Sequence, residues 1–178
     1  MAGGDALRLF CALRLPDDAL DRLVAWQELQ LTPVRPVGRE NLHVTLAFLG
    51  SRPESDVPAV ARELAGAAAA AAPLALEPLR YRETRSVGMV VLADESGAAA
   101  ALAGDLGTRL ERIGVYRREG RPWLPHVTVA RFRERPRLAP PPPDLGRISP
   151  SDAAVYSSVL RPGGAQYRVL ESVALGGR

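Results

Sequence analysis

At 178 residues, with 47% apolar and 24% charged side chains, the chain has the make-up of an ordinary globular protein, built as one domain or as two small lobes sharing a cleft. No apolar run approaches the ~20 residues of a membrane helix, and a lone cysteine, Cys11, excludes an internal disulfide. The net charge of +3 rests on arginine alone, because no lysine is present, and this excludes a Schiff base or a lysyl-nucleotidyl intermediate.

Residues 1–5 lack the basic start and long apolar stretch of a secretory signal, so a cytoplasmic location is expected. Residues 7–15 alternate as a strand, with Leu7, Leu9, Cys11, Leu13 and Leu15 on one face and Arg8, Phe10, Ala12 and Arg14 on the other. Pro16-Asp17-Asp18 opens a helix in which Leu20, Leu23, Val24 and Leu31 keep helical spacing. Residues 32–38 read as a connector or short edge strand, and 39–41 as a turn that delivers a strand over 42–49, closed by Gly50. A helix follows over 53–72, its alanine-rich tail being structure rather than disorder, and Pro73 stops it. Strands over 74–81 and 87–92 flank a polar turn, and Leu102, Leu106, Leu110 and Ile113 mark a helix over 96–113. Beyond the basic loop 114–121 comes a strand over 124–132. Pro140 to Pro143 then form a stiff extended surface loop, and strands over 153–160 and 166–174 make a hairpin through Arg161-Pro162-Gly163-Gly164. The expected class is α+β: two pseudo-symmetric lobes of antiparallel sheet within a single bilobal domain over 1–178, helices outside and a site in the central cleft.

One phrase occurs twice, as His43-Val44-Thr45-Leu46-Ala47 and His126-Val127-Thr128-Val129-Ala130, and it uses both histidines of the chain. Side chains alternate along a strand, so each histidine shares a face with the threonine two positions on. Facing one another across a phosphodiester, one neutral and one protonated imidazole can take a proton from water and give one to the leaving oxygen. The threonine hydroxyls can donate to the non-bridging phosphoryl oxygens, where charge builds in the transition state. With both histidines committed and one cysteine elsewhere, a His/Cys zinc site cannot be assembled, and no clustered Asp/Glu motif suggests magnesium. No metal and no cofactor are expected.

These motifs, with the flanks Arg8-Leu9-Phe10-Cys11-Ala12, Glu40-Asn41-Leu42, Phe48-Leu49-Gly50, Pro125, Tyr156-Ser157-Ser158 and Arg161 to Tyr167, resemble the two-histidine (2H) phosphoesterase superfamily. Within it the chain looks like the RNA 2′,3′-cyclic phosphodiesterase branch, also called 2′-5′ RNA ligases. The resemblance implies a bilobal fold and hydrolysis of a terminal 2′,3′-cyclic phosphate on RNA to a 2′-phosphomonoester. It makes His43 the proton donor to the 3′ oxygen and His126 the acceptor from water, with Thr45 and Thr128 on the phosphate. Run backwards, the same pair would join a cyclic phosphate end to a 5′-hydroxyl without a nucleotide cofactor. RNA with a cyclic phosphate end is then the expected partner, with neither a membrane nor an obligate protein implied.

Arg131 matches a family arginine at the phosphate, yet strict alternation puts it opposite His126 and Thr128. Either the strand bends or ends there, or Arg131 serves the surface. Phe10 matches a family aromatic near the nucleotide and either stacks on a base or packs in the sheet. Trp123 and Tyr156 read as packing, and the basic loop 114–121 as a solvated segment. Two other readings stay open on sequence: a 2H enzyme of small cyclic nucleotides or 2′-5′ oligonucleotides, and a non-catalytic RNA-end binding module.

Overall fold

The computed structural model describes residues 5–176. Residues 1–4, read above for a leader, lie outside the described residues. Seven antiparallel strands form one sheet in the order β3-β4-β5-β2-β1-β6-β7. The strands are β1 Ala6–Arg14, β2 His43–Pro53, β3 Glu77–Glu83, β4 Val87–Ala93, β5 His126–Arg131, β6 Asp152–Arg161 and β7 Gly164–Ala174; the helices are α1 Asp17–Gln30, α2 Val57–Ala70 and α3 Ala98–Arg112.

The two His-bearing strands lie side by side in the middle, as the repeat implied. Their pairing, however, is a single residue pair, Val44 with Val127. Past it the connector wedges in: Pro36 bridges Ala130, and the Val37 amide donates to the Val129 carbonyl at 2.9 Å. Gln27, 3% exposed, holds the wedge from behind, its amide donating to the carbonyls of Val37 (3.0 Å) and Val129 (2.8 Å). The seam therefore divides the sheet into β3-β4-β5 and β2-β1-β6-β7, which are not successive halves of the sequence. The last two strands return as a hairpin whose β6 pairs the first strand.

One face of the sheet carries the main core. Cys11, Leu13, Val44, Leu46, Val127 and Val129 pack there against Leu23 of α1, Val60 and Leu64 of α2, and Leu102, Leu106 and Leu110 of α3. Each fully buried Leu or Val contributes roughly 1.5–3 kcal/mol relative to exposure. The helices cross the seam: α1 reaches Val129 and sets Trp26 against Tyr81 of β3, while α3 packs against β2. They thereby hold together the place where the strands are joined least. The opposite face is left for the site, with Phe10, Ala12, Ala154 and Tyr156 as its floor.

Three boundaries differ from the sequence reading by three residues or more. β2 runs on to Pro53 because Gly50, at φ +72°, is accommodated within the ladder opposite Leu9 instead of ending it. The helix expected from 53 starts at Val57, after a single 3₁₀ turn over Glu54–Asp56. The strand expected from Leu74 starts at Glu77, and Leu74 and Leu76 are core residues, the latter bridged to Ile148. An apolar run marks burial equally well in a strand or in a pinned loop.

Candidate active site

The register places the repeated side chains. One step either way from the Val44–Val127 pair sets His43 beside Thr128 and Thr45 beside His126, all on the open face. Each histidine thus has a threonine of its own strand two residues on and a threonine of the other strand across the seam. The structure brings the four together, and all are half-buried.

Both imidazoles are oriented by the same device. The His43 Nδ1 lies 2.8 Å from the Asn41 carbonyl oxygen, and the His126 Nδ1 lies 2.8 Å from that of Leu124. A carbonyl only accepts, so Nδ1 carries the hydrogen in both rings. Nε2 is then the nitrogen that gains or gives a proton. The His43 Nε2 is 3.0 Å from the Thr45 hydroxyl, which donates to it while the ring is neutral.

The two differ in surroundings. His43 lies in an aromatic nest, 4.9 Å from the Phe10 ring centroid, 5.8 Å from Tyr156 and 5.4 Å, edge-on, from Tyr167. Burial pushes it down to about 4; the Asn41 carbonyl favours its charged form, while His126 and Arg131 oppose a further positive charge. At neutral pH in the free protein His43 is neutral. Burial also raises the Tyr156 phenol.

Arg131 faces the cleft. Its strand bulges: Met89 pairs Thr128 and Gly88 pairs Ala130, so Val129 is an extra residue and turns inward together with Ala130. The alternation resets, and Arg131, paired with Val87, returns to the face of His126 and Thr128. It is exposed, and its Nη2 donates to the Tyr167 hydroxyl at 3.3 Å. Of the alternatives left open on sequence, the bend is what occurs.

Phe10 is 3% exposed, with Tyr156 stacked at 4.9 Å as well as His43, so of its two readings packing in the sheet is the one this arrangement favours, and the ring supports His43. The open ring is Phe48, 47% exposed, beside Phe10 and under the Arg8 guanidinium at 5.6 Å. A bulge at Leu46 brings it to the cleft face as Val129 brings Arg131.

Sequence reasoning missed other contributors. The Trp123 indole, taken as packing, donates to the Thr45 carbonyl at 3.0 Å and so ties the approach to β5 onto β2. Asn41, taken as a turn residue, supplies the His43 carbonyl while its amide donates to the Ala165 carbonyl of β7 at 3.0 Å. The two carbonyls that orient the histidines are backbone groups, for which no side chain gives a signal. Among the described residues no group of three or more His, Cys, Asp or Glu is arranged to hold a metal ion.

Comparison with known proteins places this geometry. The model of the 2′-5′ RNA ligase superfamily matches residues 15–152. A protein of Thermus thermophilus named RNA 2′,3′-cyclic phosphodiesterase is 33% identical, over 96% of this chain and 91% of its own. Its namesake in Escherichia coli K12 is 28% identical, over 94% and 96%. Among solved structures, TT0787 of Thermus thermophilus superposes with a TM-score of 0.82 at 29% identity, covering 97% of this chain and 100% of that one. Escherichia coli LigT in its apo form gives 0.81 at 26%, covering 97% and 99%.

Proposed function

Since the chain belongs to the 2′-5′ RNA ligase superfamily, we propose that it is an RNA 2′,3′-cyclic phosphodiesterase, opening a terminal cyclic phosphate to a 2′-phosphomonoester. Relatives carrying that name align over nearly the whole chain, and the fold is theirs. The observation that carries the mechanism is the pair of imidazoles on adjacent strands, each held through Nδ1 by a carbonyl so that Nε2 meets the cleft.

In this reading a water attacks phosphorus and His126 takes its proton. The P–O3′ bond breaks opposite the new P–O bond, and His43 protonates the departing O3′, leaving a 3′-hydroxyl and the phosphate on O2′. Thr45, Thr128 and Arg131 meet the non-bridging oxygens as charge builds on them. The reaction needs two proton-transfer groups in opposite states and takes its chemistry from side chains alone, without a metal or cofactor. Reversed, it forms a 2′-5′ linkage from a cyclic end and a 5′-hydroxyl.

A donor must hold a proton, and His43 is held near 4 in the free protein. The substrate supplies the difference. A unit negative charge about 4 Å away at an effective dielectric near 20 is worth about 4 kcal/mol, or roughly three pKa units, enough to bring His43 near neutrality once the phosphate binds. The bound phosphate thus favours the protonated form of His43 in the complex, where the proton is used. A cytoplasmic setting belongs to the same proposal, with RNA ends as the substrate pool.

The test is a product assay on RNA ending in a 2′,3′-cyclic phosphate, resolving 2′- from 3′-phosphate. The expected product is the 2′-monoester; binding without turnover would make the chain an RNA-end binding module instead.

A further inference from the structure

Beside the site lies a cavity of about 610 Å³ that shares only Arg131 with the chemistry above. It opens between the connector before β2, the end of β5 and the β6–β7 hairpin, and three arginines line it: Arg35, Arg131 and Arg133. Arg35 reaches across, its Nη2 donating to the Gly163 carbonyl of the hairpin turn. Arg133 lies just beyond β5 and is exposed. Among the described residues none of the three forms an ion pair, although eleven ion pairs engage other arginines. Glu40 is the one carboxylate in the wall, so the cavity presents a surplus of positive charge with most guanidinium donors free.

Its position says what it can hold. Asn41, Tyr167 and Arg131 belong both to its wall and to the surroundings of His43. The His43 Nδ1 side faces Asn41 while Nε2 faces Thr45, so the cavity lies at the flank of the reacting nitrogen, not in front of it. The reacting phosphate belongs in front of Nε2, within reach of Arg131 at the shared wall, and the rest of the cavity is placed for the next phosphate along the strand. Guanidinium forks match phosphate oxygens, and the volume is in the roughly 300–1,000 Å³ range of small-ligand sites.

We propose that this cavity binds the phosphodiester on the 5′ side of the terminal nucleotide, through Arg133 and Arg35. The preferred substrate is then an RNA strand of two or more nucleotides over a free cyclic mononucleotide. The inference rests on the functional reading above and adds to it the residues that hold the strand beyond its terminal nucleotide.

Two substrates separate the ideas: a nucleoside 2′,3′-cyclic phosphate with a free 5′-hydroxyl, and a dinucleotide ending in the same cyclic nucleoside. Wild type should favour the dinucleotide in kcat/KM by at least about tenfold, as expected for a charged phosphate contact. Arg133→Gln should erase most of that preference through KM, leave the mononucleotide unchanged, and be largely rescued by Arg133→Lys. Each lost contact should also flatten the plot of log kcat/KM against log salt for the dinucleotide by about 0.7. Equal turnover of both substrates by wild type, or an equal loss on both in Arg133→Gln, overturns the inference alone. Turnover of neither overturns the functional reading, and the inference with it.

Discussion

Leu46 and Val129 hold the same place in the two halves of the sheet: each is the extra residue of a β-bulge three positions after a histidine. Opposite Leu46, Cys11 pairs Ala47 while Ala12 pairs Thr45; opposite Val129, Gly88 pairs Ala130 while Met89 pairs Thr128. Both residues turn into the core with the alanine that follows. Both bulges carry the residue five after the histidine back onto the cleft face, Phe48 in one strand and Arg131 in the other. The pair is symmetric in backbone and asymmetric in chemistry, with a cation at one end of the cleft and an open aromatic ring at the other.

Arg131→Ala should therefore lower kcat/KM on cyclic-phosphate RNA by about 10–100-fold, as expected for a hydrogen bond to a charged group. The side chain is exposed and its bond to Tyr167 is long, so the melting temperature should hold. Arg131→Lys should recover only part of the rate, having the charge without the fork. Unchanged kinetics in Arg131→Ala would return this arginine to the surface.

His43→Ala and His126→Ala should each cost about 10²–10⁴-fold in turnover, with the circular dichroism spectrum unchanged. Both rings are half-buried at the cleft and neither belongs to the main core cluster, so the sheet does not depend on them. Full activity in either variant would defeat the two-imidazole mechanism. EDTA should leave the wild-type rate as it is; a rate restored by added metal would require another mechanism.

His43 sets a pH signature. Its NMR titration should show a midpoint near 4 in the free protein and a higher one with saturating inorganic phosphate. Its folded value lies below the unfolded value near 6.5, so the unfolded chain takes up the proton first. The contribution to stability is full above about pH 6.5 and is lost as pH falls toward 4, an effect of at most about 3 kcal/mol. Melting temperatures at pH 7 and 4.5 should converge more closely in His43→Asn than in wild type. A midpoint unmoved by phosphate would remove His43 as the donor.

Trp123→Phe keeps a six-membered aromatic ring, trims the pyrrole part of the indole and deletes its bond to the Thr45 carbonyl. Loss of about 1 kcal/mol is expected, which lowers the melting temperature of a chain this size by roughly 2–4 °C. Thr45 is the residue held, so kcat should fall more than KM rises. A normal kcat beside the lower melting temperature would make the bond purely structural.

Thr45→Val and Thr128→Val should separate ground-state from transition-state binding. Hydroxyls that meet phosphoryl oxygens mainly as charge develops will cost kcat with little change in KM. For Thr45 the loss of its bond to the His43 Nε2 should also shift the His43 titration, while Thr128→Val leaves it in place. Equal rises in KM with kcat unchanged would assign both to uniform binding.

The sequence by itself determined the α+β class, the alternation that puts His43 with Thr45 and His126 with Thr128, and the helical faces of Val60 and Leu64 or of Leu102, Leu106 and Leu110. Those features are periodicities of two and 3.6 residues, written in neighbours along the chain. Tertiary structure decided the rest of the site. A bulge depends on the partner strand, so the facing of Arg131 and Phe48 was settled by residues 88–89 and 11–12 and not by their own neighbours. The carbonyls of Asn41 and Leu124 carry no side-chain signal, and the indole on Thr45 and the ring of Tyr167 beside His43 arrive from distant segments. Chemistry was legible because it lies in side chains two residues apart. Orientation, burial and the shift of His43 were not, because they follow from which distant strands the sheet lays side by side.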